Sequence, residues 1–347
     1  MKIAVHIFLF FSSFIWIRAQ DGKTYQVRSI AFYNVENLFD IQNDTLIFDD
    51  DRTPSGKDRW TQERYARKLS NISKVISEIG RKETGSAPDM IGLCEIENQQ
   101  VLADLVNHPN LRENEYGIVH FDSPDERGID VALLYKKSVF IATSFSSHRL
   151  LLTKQDEFRD YTRDQLVVGG FLDGEEIHFI VNHWPSRSGG EQRSRPNRIA
   201  AAKLNRHIID SIIHEKPMAK IISMGDLNDD PIDYSLKKIL KIKGKKDILE
   251  PTDLYNPMEA LYRKGYGSLA YRDKWNLFDQ LFFTANLIIG SPRELKFWKA
   301  GIFKESYLVD QKGRYKGYPF RTYANGNYVG GYSDHFPVYI LLIKEQP

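Results

Sequence analysis

The sequence predicts an α+β fold in which two packed β-sheets are flanked by helices. Three observations support this prediction: short apolar runs bounded by polar or turn residues recur along the chain, two segments have the periodicity of amphipathic helices, and the order strand–helix–strand occurs twice. Because the second strand–helix–strand unit resembles the first, we expect two similar halves.

Eight apolar runs are predicted to be buried strands. Each is four to eight residues long and is bounded by turn or polar residues, which is typical of strands inside a sheet. The runs are 29–33, 90–94, 130–135, 166–171, 178–181, 220–224, 280–283 and 338–343.

Two segments are predicted to be helices that bury one face. In 61–80 apolar residues recur at alternating spacings of four and three, Thr61 suits an N-cap, and Gly80 suits a C-terminal stop. The second helix is predicted over 195–214. The apolar residues are Tyr65, Leu69, Ile72, Ile76 and Ile79 in the first helix, and Ile199, Leu204, Ile208 and Ile212 in the second.

The composition is that of an ordinary globular protein: of 347 residues, 27% are charged and 41% are hydrophobic. This excludes a disordered chain, a collagen-like repeat and a multi-span membrane protein. There are 48 basic and 46 acidic residues, and the excess disappears without residues 1–19, which contain Lys2, Arg18 and no acid. Any nucleic-acid contact therefore requires a local basic patch. The single cysteine, Cys94, excludes a disulfide framework and a cysteine zinc site.

Residues 1–19 are predicted to be a secretory signal peptide. Lys2 precedes an apolar stretch over 3–17, and Ala19 is a small residue at which cleavage is expected. A membrane anchor or a buried first strand are the alternatives, but the stretch is shorter than the roughly 20 apolar residues of a span. We expect an exported protein, periplasmic or secreted, without stable membrane association after cleavage. No linker divides 20–347, which we expect to be one catalytic domain.

Carboxylate, amide and imidazole side chains lie at the boundaries of six apolar runs. Because such groups are costly to bury singly, we expect them to converge on one polar cleft. For one isolated Asn or Asp a capping or turn role is the simpler interpretation, but the whole set is hard to explain as turns. The residues are Asn34, Glu36 and Asn37, then Glu95, then Asn182 and His183, then Asp226 and Asn228, then Asp279, and finally Asp334 and His335.

These side chains suit phosphoryl transfer assisted by a hard cation. Mg²⁺ prefers oxygen ligands and needs only one or two protein carboxylates. A carboxylate can activate a water, and a histidine can neutralise a phosphate or protonate a leaving oxygen. The sequence lacks the three-imidazole cluster of catalytic zinc, a Gly-rich P-loop and a G-x-S-x-G elbow.

The sequence resembles the endonuclease/exonuclease/phosphatase superfamily, the DNase I-like fold, from about residue 28 to 342. The motifs that carry the resemblance are YNVEN at 33–37, GLCEIEN at 92–98, GIDVALLY at 128–135, VNHW at 181–184, MGDLN at 224–228 and SDHFPV at 333–338. Most are weak alone, but together and in this order they are specific. The resemblance implies a four-layer α/β/β/α sandwich with two packed, mostly antiparallel sheets.

The resemblance also implies a metal site. Glu95 would be the main ligand of Mg²⁺, with Mn²⁺ or Ca²⁺ as alternatives, helped by Asn34 and Asp334. Glu36 is a further possible ligand, although other members carry different residues at this position.

The resemblance assigns the chemistry to the remaining residues. Asp226 and Asn228 would orient and activate the attacking water. His335, held by Asp279, would contact the scissile phosphate.

The resemblance pairs a second histidine with an acid, as in the DNase I branch. His183, paired with Asp130, would be the general acid on the leaving oxygen. A carboxylate beside an imidazole fixes its tautomer and stabilises its charged form.

An arginine-rich loop follows His183. Residues 186–198 contain four arginines and one glutamate, and the loop resembles that of bacterial secreted nucleases of this superfamily. We interpret Arg187, Arg193 and Arg195 as a clamp for a phosphate backbone, because guanidinium groups match phosphate oxygens. The alternative is a solvated loop that caps the next helix.

The sequence therefore predicts a metal-dependent phosphodiesterase, specifically a nuclease acting on DNA or RNA, with no protein partner. A phosphatase or a phospholipid or sugar-phosphate diesterase of the same superfamily is the alternative, and a catalytically silent phosphate-binding module is a distant one. A tyrosine-rich stretch over 315–332 suits either base stacking or a long ordered loop.

Overall fold

The computed structural model describes residues 23–153, 158–247 and 249–346. The predicted signal peptide over 1–19 lies outside these residues, so export stays a prediction. Of the helices in the described part of the chain, none is both long and apolar enough to cross a membrane.

Twelve strands form two six-stranded sheets. In chain order they are β1 (Tyr25–Leu38), β2 (Met90–Ile96), β3 (Tyr116–His120), β4 (Asp130–Lys136), β5 (Phe140–His148), β6 (Gln165–Leu172), β7 (Glu175–His183), β8 (Lys220–Asp226), β9 (Leu254–Tyr255), β10 (Asp279–Thr284), β11 (Lys296–Ile302) and β12 (Val338–Glu345). The first sheet has the order β11-β12-β1-β2-β4-β3 and the second the order β9-β10-β8-β7-β6-β5. Short two-stranded ribbons join Leu152–Thr153 to Arg159–Asp160, Leu269–Tyr271 to Lys274–Asn276, and Tyr323–Ala324 to Asn327–Tyr328.

The helices lie mostly in the connections between strands. The α-helices are α1 (Gln62–Glu78), α2 (Arg81–Thr84), α3 (Gln99–Asn107), α4 (Glu191–Glu215), α5 (Met258–Arg263) and α6 (Asn286–Ile289). Single 3₁₀ turns occur at Asp50–Arg52, Arg112–Asn114 and Ser306–Leu308, and a π-helical turn at Ser235–Ile239.

The two predicted halves are present. The unit β1–α1–β2 places β1 parallel to β2 in the first sheet, and β7–α4–β8 places β7 parallel to β8 in the second. The other neighbours within the two sheets are antiparallel. Because parallel strands end at the same edge of a sheet, each half brings two strand ends together.

Three apolar layers separate the four layers of the sandwich, so the predicted fold class is confirmed. Between the sheets, residues such as Phe32, Met224 and Ile340 are fully buried. α1 and α3 cover the outer face of the first sheet, and α4 covers that of the second. The inner strands are thus covered on both faces, which explains their continuous apolar runs.

The eight predicted strands are the eight inner strands of the two sheets. The sequence analysis missed β3, β5, β9 and β11, which are the four edge strands. β5 is mostly exposed and β9 has only two residues, so neither presents a long apolar run.

α1 buries the predicted stripe, and Thr61 caps it by accepting a hydrogen bond from the backbone of Arg64. α4 differs from its prediction, because it begins at Glu191 and its buried line is partly polar. Of the four isoleucine and leucine positions predicted to face the core, only Ile208 is fully buried. The rest of the buried line consists of Ser194, Arg198, Ala201, Ala202, Asn205 and Ile209.

Candidate active site

The predicted site residues meet where the two parallel strand pairs end. In the second sheet, Asp226 of β8 is in register with His183 of β7. In the first sheet, Asn34 of β1 is in register with Cys94 of β2, and the pairing then shifts at Glu95. The two halves therefore present their strand ends to one cleft.

Asn34 connects the two sheets through its amide. Its Nδ2 atom donates to Oε1 of Glu95 at 3.3 Å and to Oδ2 of Asp226 at 3.1 Å. Its Oδ1 atom accepts from the backbone N–H of Glu36 at 2.9 Å. Asn34 was predicted as a metal ligand. In the structure its side-chain oxygen accepts a hydrogen bond from the backbone, and its amide nitrogen donates to both carboxylates.

The backbone is in the left-handed region at several of these strand ends. This conformation is uncommon outside glycine and is retained where function requires a particular side-chain direction. The Oε2 atom of Glu95 accepts from the backbone N–H of Asn37 at 3.0 Å, so this hydrogen bond ties the end of β2 to the end of β1. The positive φ angles are 51° at Glu36, 57° at Asn37, 62° at Glu95 and 50° at Asn228.

Asp226 is a buried carboxylate that lies close to both histidines of the site, His183 and His335. Burial raises its pKa to about 7. Its Oδ1 atom accepts from the backbone N–H of Asn228 at 3.0 Å, and Asn228 is itself held by a 3.0 Å bond from its Nδ2 to the carbonyl of Trp184. The Nε2 atoms of His183 and His335 lie 3.8 and 3.9 Å from Oδ2 of Asp226.

The predicted pair of His335 and Asp279 is present. The Nδ1 atom of His335 lies 2.6 Å from Oδ2 of Asp279, and that carboxylate also accepts from the hydroxyl of Ser268. Burial works against the charged imidazole, but the charge and hydrogen bond of Asp279 outweigh it and raise the pKa of His335 well above its usual value. His335 is therefore a fixed cation that faces the cleft.

The predicted pair of His183 and Asp130 is wrong. Asp130 instead contacts Nε2 of His120 at 3.0 Å and accepts from the backbone and hydroxyl of Ser123. The buried Nδ1 atom of His183 has no hydrogen-bond partner among the described residues. Burial, together with the positive charge of Arg163, lowers the pKa of His183 well below its usual value, so this imidazole is neutral at neutral pH.

Asp334 and Glu36 lie at the side of the cleft that faces the tyrosine-rich stretch. Asp334 is 33% exposed; its Oδ2 atom pairs with Arg321 at 2.7 Å and its Oδ1 atom lies 4.0 Å from Nε2 of His335. Glu36 accepts from the backbone N–H of Thr322 at 2.6 Å and lies 4.0 Å from the buried amine of Lys68. Together with its contact to Arg321, these contacts show that Glu36 fixes the neighbouring loop.

The predicted arginine clamp is only partly available to a ligand. Arg187 donates to the carbonyl of Asn228 at 2.8 Å and pairs with Asp233 at 2.7 Å, so it supports the strand end. Arg195 pairs with Glu191 on its own helix. Arg193 is exposed and lines a polar cleft of about 500 Å³.

Sequence reasoning missed two arginines that border the site. The buried Arg163 donates to the carbonyl of Trp184 at 2.7 Å and pairs with Asp125 at 2.8 Å. Arg321 bridges Glu36 and Asp334. Neither arginine lies in one of the motifs, so the sequence did not indicate that they border the site.

The donor set fits a hard cation. The oxygens at the centre come from Glu95 and Asp226, which are held side by side by one amide, and Asp334 adds a carboxylate at the rim. The one thiol, Cys94, is buried between the sheets. Carboxylates without thiolates are the ligands that Mg²⁺, Mn²⁺ and Ca²⁺ prefer.

The four-layer sandwich and the residues clustered at its parallel strand ends define a DNase I-like fold. The chain belongs to the endonuclease/exonuclease/phosphatase family, whose pattern matches residues 29–344.

Several solved structures share the fold. A family protein from Bacteroides thetaiotaomicron is 15% identical, with a TM-score of 0.55 and coverage of 93% of this chain and 97% of that chain. The mannosyl-6-phosphatase of Bacteroides thetaiotaomicron VPI-5482 is 16% identical, with a TM-score of 0.53 and coverage of 91% and 99%. D. rerio TDP2, complexed with single strand DNA product, is 16% identical, with a TM-score of 0.52 and coverage of 91% and 98%. No curated protein matched the sequence.

Proposed function

We propose that this protein is a divalent-metal-dependent hydrolase that cleaves phosphodiester bonds in nucleic acids. The observation that carries the proposal is the convergence of Glu95, Asp226 and His335, which come from three distant parts of the sequence. A protonated imidazole beside two carboxylates held by one amide suits a phosphate that must be bound and attacked in one place.

Glu95 would hold the metal, with Asp334 at the rim and Asp226 beside Glu95. When bound, such a cation polarises a phosphoryl oxygen and neutralises the negative charge that develops in the transition state. The ion is expected to be Mg²⁺, with Mn²⁺ or Ca²⁺ as alternatives, because the set consists of oxygen donors.

Asp226 is placed to activate the attacking water. A general base works best when its pKa lies near the operating pH, and burial raises the pKa of Asp226 in that direction, to about 7 when no metal is bound. Asn34 and the backbone N–H of Asn228 fix both of its oxygens. The oxygen of water then bonds to phosphorus, its proton passes to Asp226, and the bond to the leaving oxygen breaks.

The two histidines have different roles in this proposal. His335 is charged and donates a hydrogen bond from Nε2 to a phosphate oxygen, while Asp279 holds its other nitrogen. His183 is neutral, so we assign it a hydrogen bond to the phosphate instead of the general-acid role expected from the sequence. The leaving oxygen takes its proton from solvent water.

The preference for nucleic acid has two supports. Arginines border the site: Arg321 lies beside Asp334, and Arg193 lines a polar cleft together with Arg163 and Pro185. One structural neighbour, D. rerio TDP2, is complexed with single strand DNA product. Because another structural neighbour is a mannosyl-6-phosphatase, sugar phosphates are the alternative substrates to be tested.

A substrate panel tests the proposal. Single-stranded DNA, double-stranded DNA, RNA and mannose 6-phosphate are incubated with the purified protein and Mg²⁺, with excess EDTA in a parallel series. We expect at least one nucleic acid to be cleaved far faster than the monoester, and EDTA to stop cleavage. Turnover of the monoester alone would show that the protein is a phosphatase. Activity that survives EDTA would show that no metal is required. If no substrate is turned over, a phosphate-binding module is the remaining interpretation.

A further inference from the structure

A cavity of about 390 Å³ opens beside the candidate active site. Its walls come from two segments, 270–273 and 310–329, and Asp334 lies at its inner end. The volume is within the range of small-molecule sites, which is roughly 300–1,000 Å³. The lining combines aromatic rings with guanidinium groups, including Tyr271, Arg272, Arg314, Tyr315 and Arg321.

The cavity is continuous with the site. Arg321 lines the cavity and pairs with Asp334, whose other oxygen lies 4.0 Å from Nε2 of His335. A phosphate ester bound at His335 would therefore have the mouth of the cavity beside it, next to Asp334. This continuity argues for an occupant that is covalently attached to the phosphate.

The walls are held in place by hydrogen bonds. The hydroxyl of Tyr318 donates to Asp273 at 2.6 Å and accepts from its backbone N–H at 2.8 Å, which ties the two segments together. From α1, the amine of Lys68 donates to the hydroxyl of Thr322 and the carbonyl of Tyr332 at 2.6 and 2.7 Å. The cavity thus exists before any ligand enters, which lowers the cost of binding.

Two partly exposed tyrosines line this cavity. Tyr271 is 63% exposed and Tyr315 is 37% exposed. The guanidinium of Arg272 lies 5.2 Å from the ring of Tyr271, and that of Arg314 lies 6.0 Å from the ring of Tyr315. Exposed aromatic rings beside arginines are the combination on which single-stranded bases stack.

We propose that this cavity binds the nucleobase of the nucleotide next to the scissile phosphate, by stacking on Tyr315 and Tyr271. The inference rests on the proposed function, because it assumes that the phosphate at His335 belongs to a nucleotide. It gives the tyrosine-rich stretch a role in substrate selection.

Dinucleotides in which one base is deleted test this inference. The substrates are TpT and its two analogues in which one or the other thymine is missing and the sugar is replaced by tetrahydrofuran. We expect deletion of one particular base to lower kcat/KM about tenfold, and Tyr315→Ala to lower kcat/KM on TpT by a similar factor. On the dinucleotide that lacks the relevant base, Tyr315→Ala should cause no further loss, whereas Tyr315→Phe should retain most of the activity on TpT.

The control is Tyr25→Ala. Tyr25 is an exposed tyrosine at the start of β1, at the other end of this strand from Asn34, so the variant should keep the wild-type activity on all three dinucleotides. Equal losses from Tyr315→Ala on all three dinucleotides, or no effect of deleting either base, would overturn the inference.

A binding measurement separates this inference from the proposed function. Without metal, either thymidine 5′-monophosphate or thymidine 3′-monophosphate should bind the wild type about tenfold more tightly than the matching deoxyribose phosphate that lacks the base, and Tyr315→Ala should remove the difference. If no substrate is hydrolysed but this difference appears, the proposed hydrolysis fails and the base site stands. Equal affinities within both of these pairs in the wild type would overturn the base site even in an active enzyme.

Discussion

The Nδ1 atom of His335 lies 2.6 Å from Oδ2 of Asp279, and both side chains are buried. Asp279 is the first residue of β10 and is in register with Asp226 of β8, so the sheet itself sets the position of the imidazole. Because the first nitrogen is occupied by Asp279, the second faces Asp226 and the cleft. Asp279 thus holds His335 as an imidazolium at the place where the proposed reaction needs a positive charge.

Removal of either central side chain should abolish hydrolysis and leave the fold intact. We expect Asp226→Ala and His335→Ala each to lower kcat/KM by about 10²–10⁴, the range for loss of a positioned acid–base group. Thermal unfolding and kinetics on the best substrate of the panel measure the two effects. Asp210→Ala, which removes an exposed carboxylate on α4, is the matched control. A folded Asp226→Ala protein with near-normal turnover would refute its role as the base.

Two arginines on α4 should differ sharply in their effect on stability. Arg198 is fully buried and donates to Asp229 at 2.6 Å. Arg198→Ala removes this cation from a buried carboxylate, which keeps only Arg187 at 3.2 Å and the hydroxyl of Ser235 as side-chain partners among the described residues, and should cost about 3 kcal/mol. Arg195 is 49% exposed and pairs with Glu191, so Arg195→Ala should change stability by less than about 0.5 kcal/mol. Urea unfolding compares the two. Similar losses in both variants would contradict the assignment of Arg198 to the core.

Asp230 should make the protein less stable as the pH rises. Burial raises the pKa of its carboxyl from 3.8 to about 6, so the folded state binds this proton more tightly than the unfolded state does. The contribution of the protonated form is present below about pH 4 and is lost as the pH rises through about 6.

The variant Asp230→Asn removes this titration and can keep the hydrogen bond from the backbone of Leu277. Relative to the wild type, it should gain about 2 kcal/mol in the free energy of unfolding between pH 3.5 and pH 8. Urea unfolding at the two pH values measures the gain. If the free energy of unfolding differs between the variant and the wild type by the same amount at pH 3.5 and pH 8, this carboxyl does not titrate as described.

Asp130 should be coupled in stability to His120 and not to His183. The 3.0 Å contact with His120 predicts an interaction energy of about 1–2 kcal/mol in a double-mutant cycle, whereas the cycle with His183 should give less than about 0.5 kcal/mol. Asp130→Asn, His120→Gln and His183→Gln are the single variants, measured by urea unfolding. Strong coupling to His183 would restore the pair expected from the family resemblance.

The part of the fold that could be predicted from sequence is the part covered on both faces. Inner strands such as β2 and β8 are continuous apolar runs because both of their faces are buried. Edge strands need no such run, and β5 and β11 consist of mostly exposed or half-buried residues. Their pairing is set by the neighbouring strand, which the local sequence does not encode.

The candidate site was also predictable only in part. Glu95, Asp226 and His335 could be predicted because they follow apolar runs within recognisable motifs. Partnerships between distant residues could not, since any of several acids can reach a given histidine. His120 lies outside every motif, yet its position on β3, beside β4, gives it the contact with Asp130 that the resemblance assigned to His183.

Anomalous diffraction from crystals grown with Mn²⁺ tests the central claim most directly. A peak at the manganese edge beside the carboxylates of Glu95 and Asp226, lost on soaking in EDTA, is the predicted result. The group of His120, Asp122 and Asp130 offers an alternative place for an ion within the described residues. A peak there, with none at Glu95, would contradict the account.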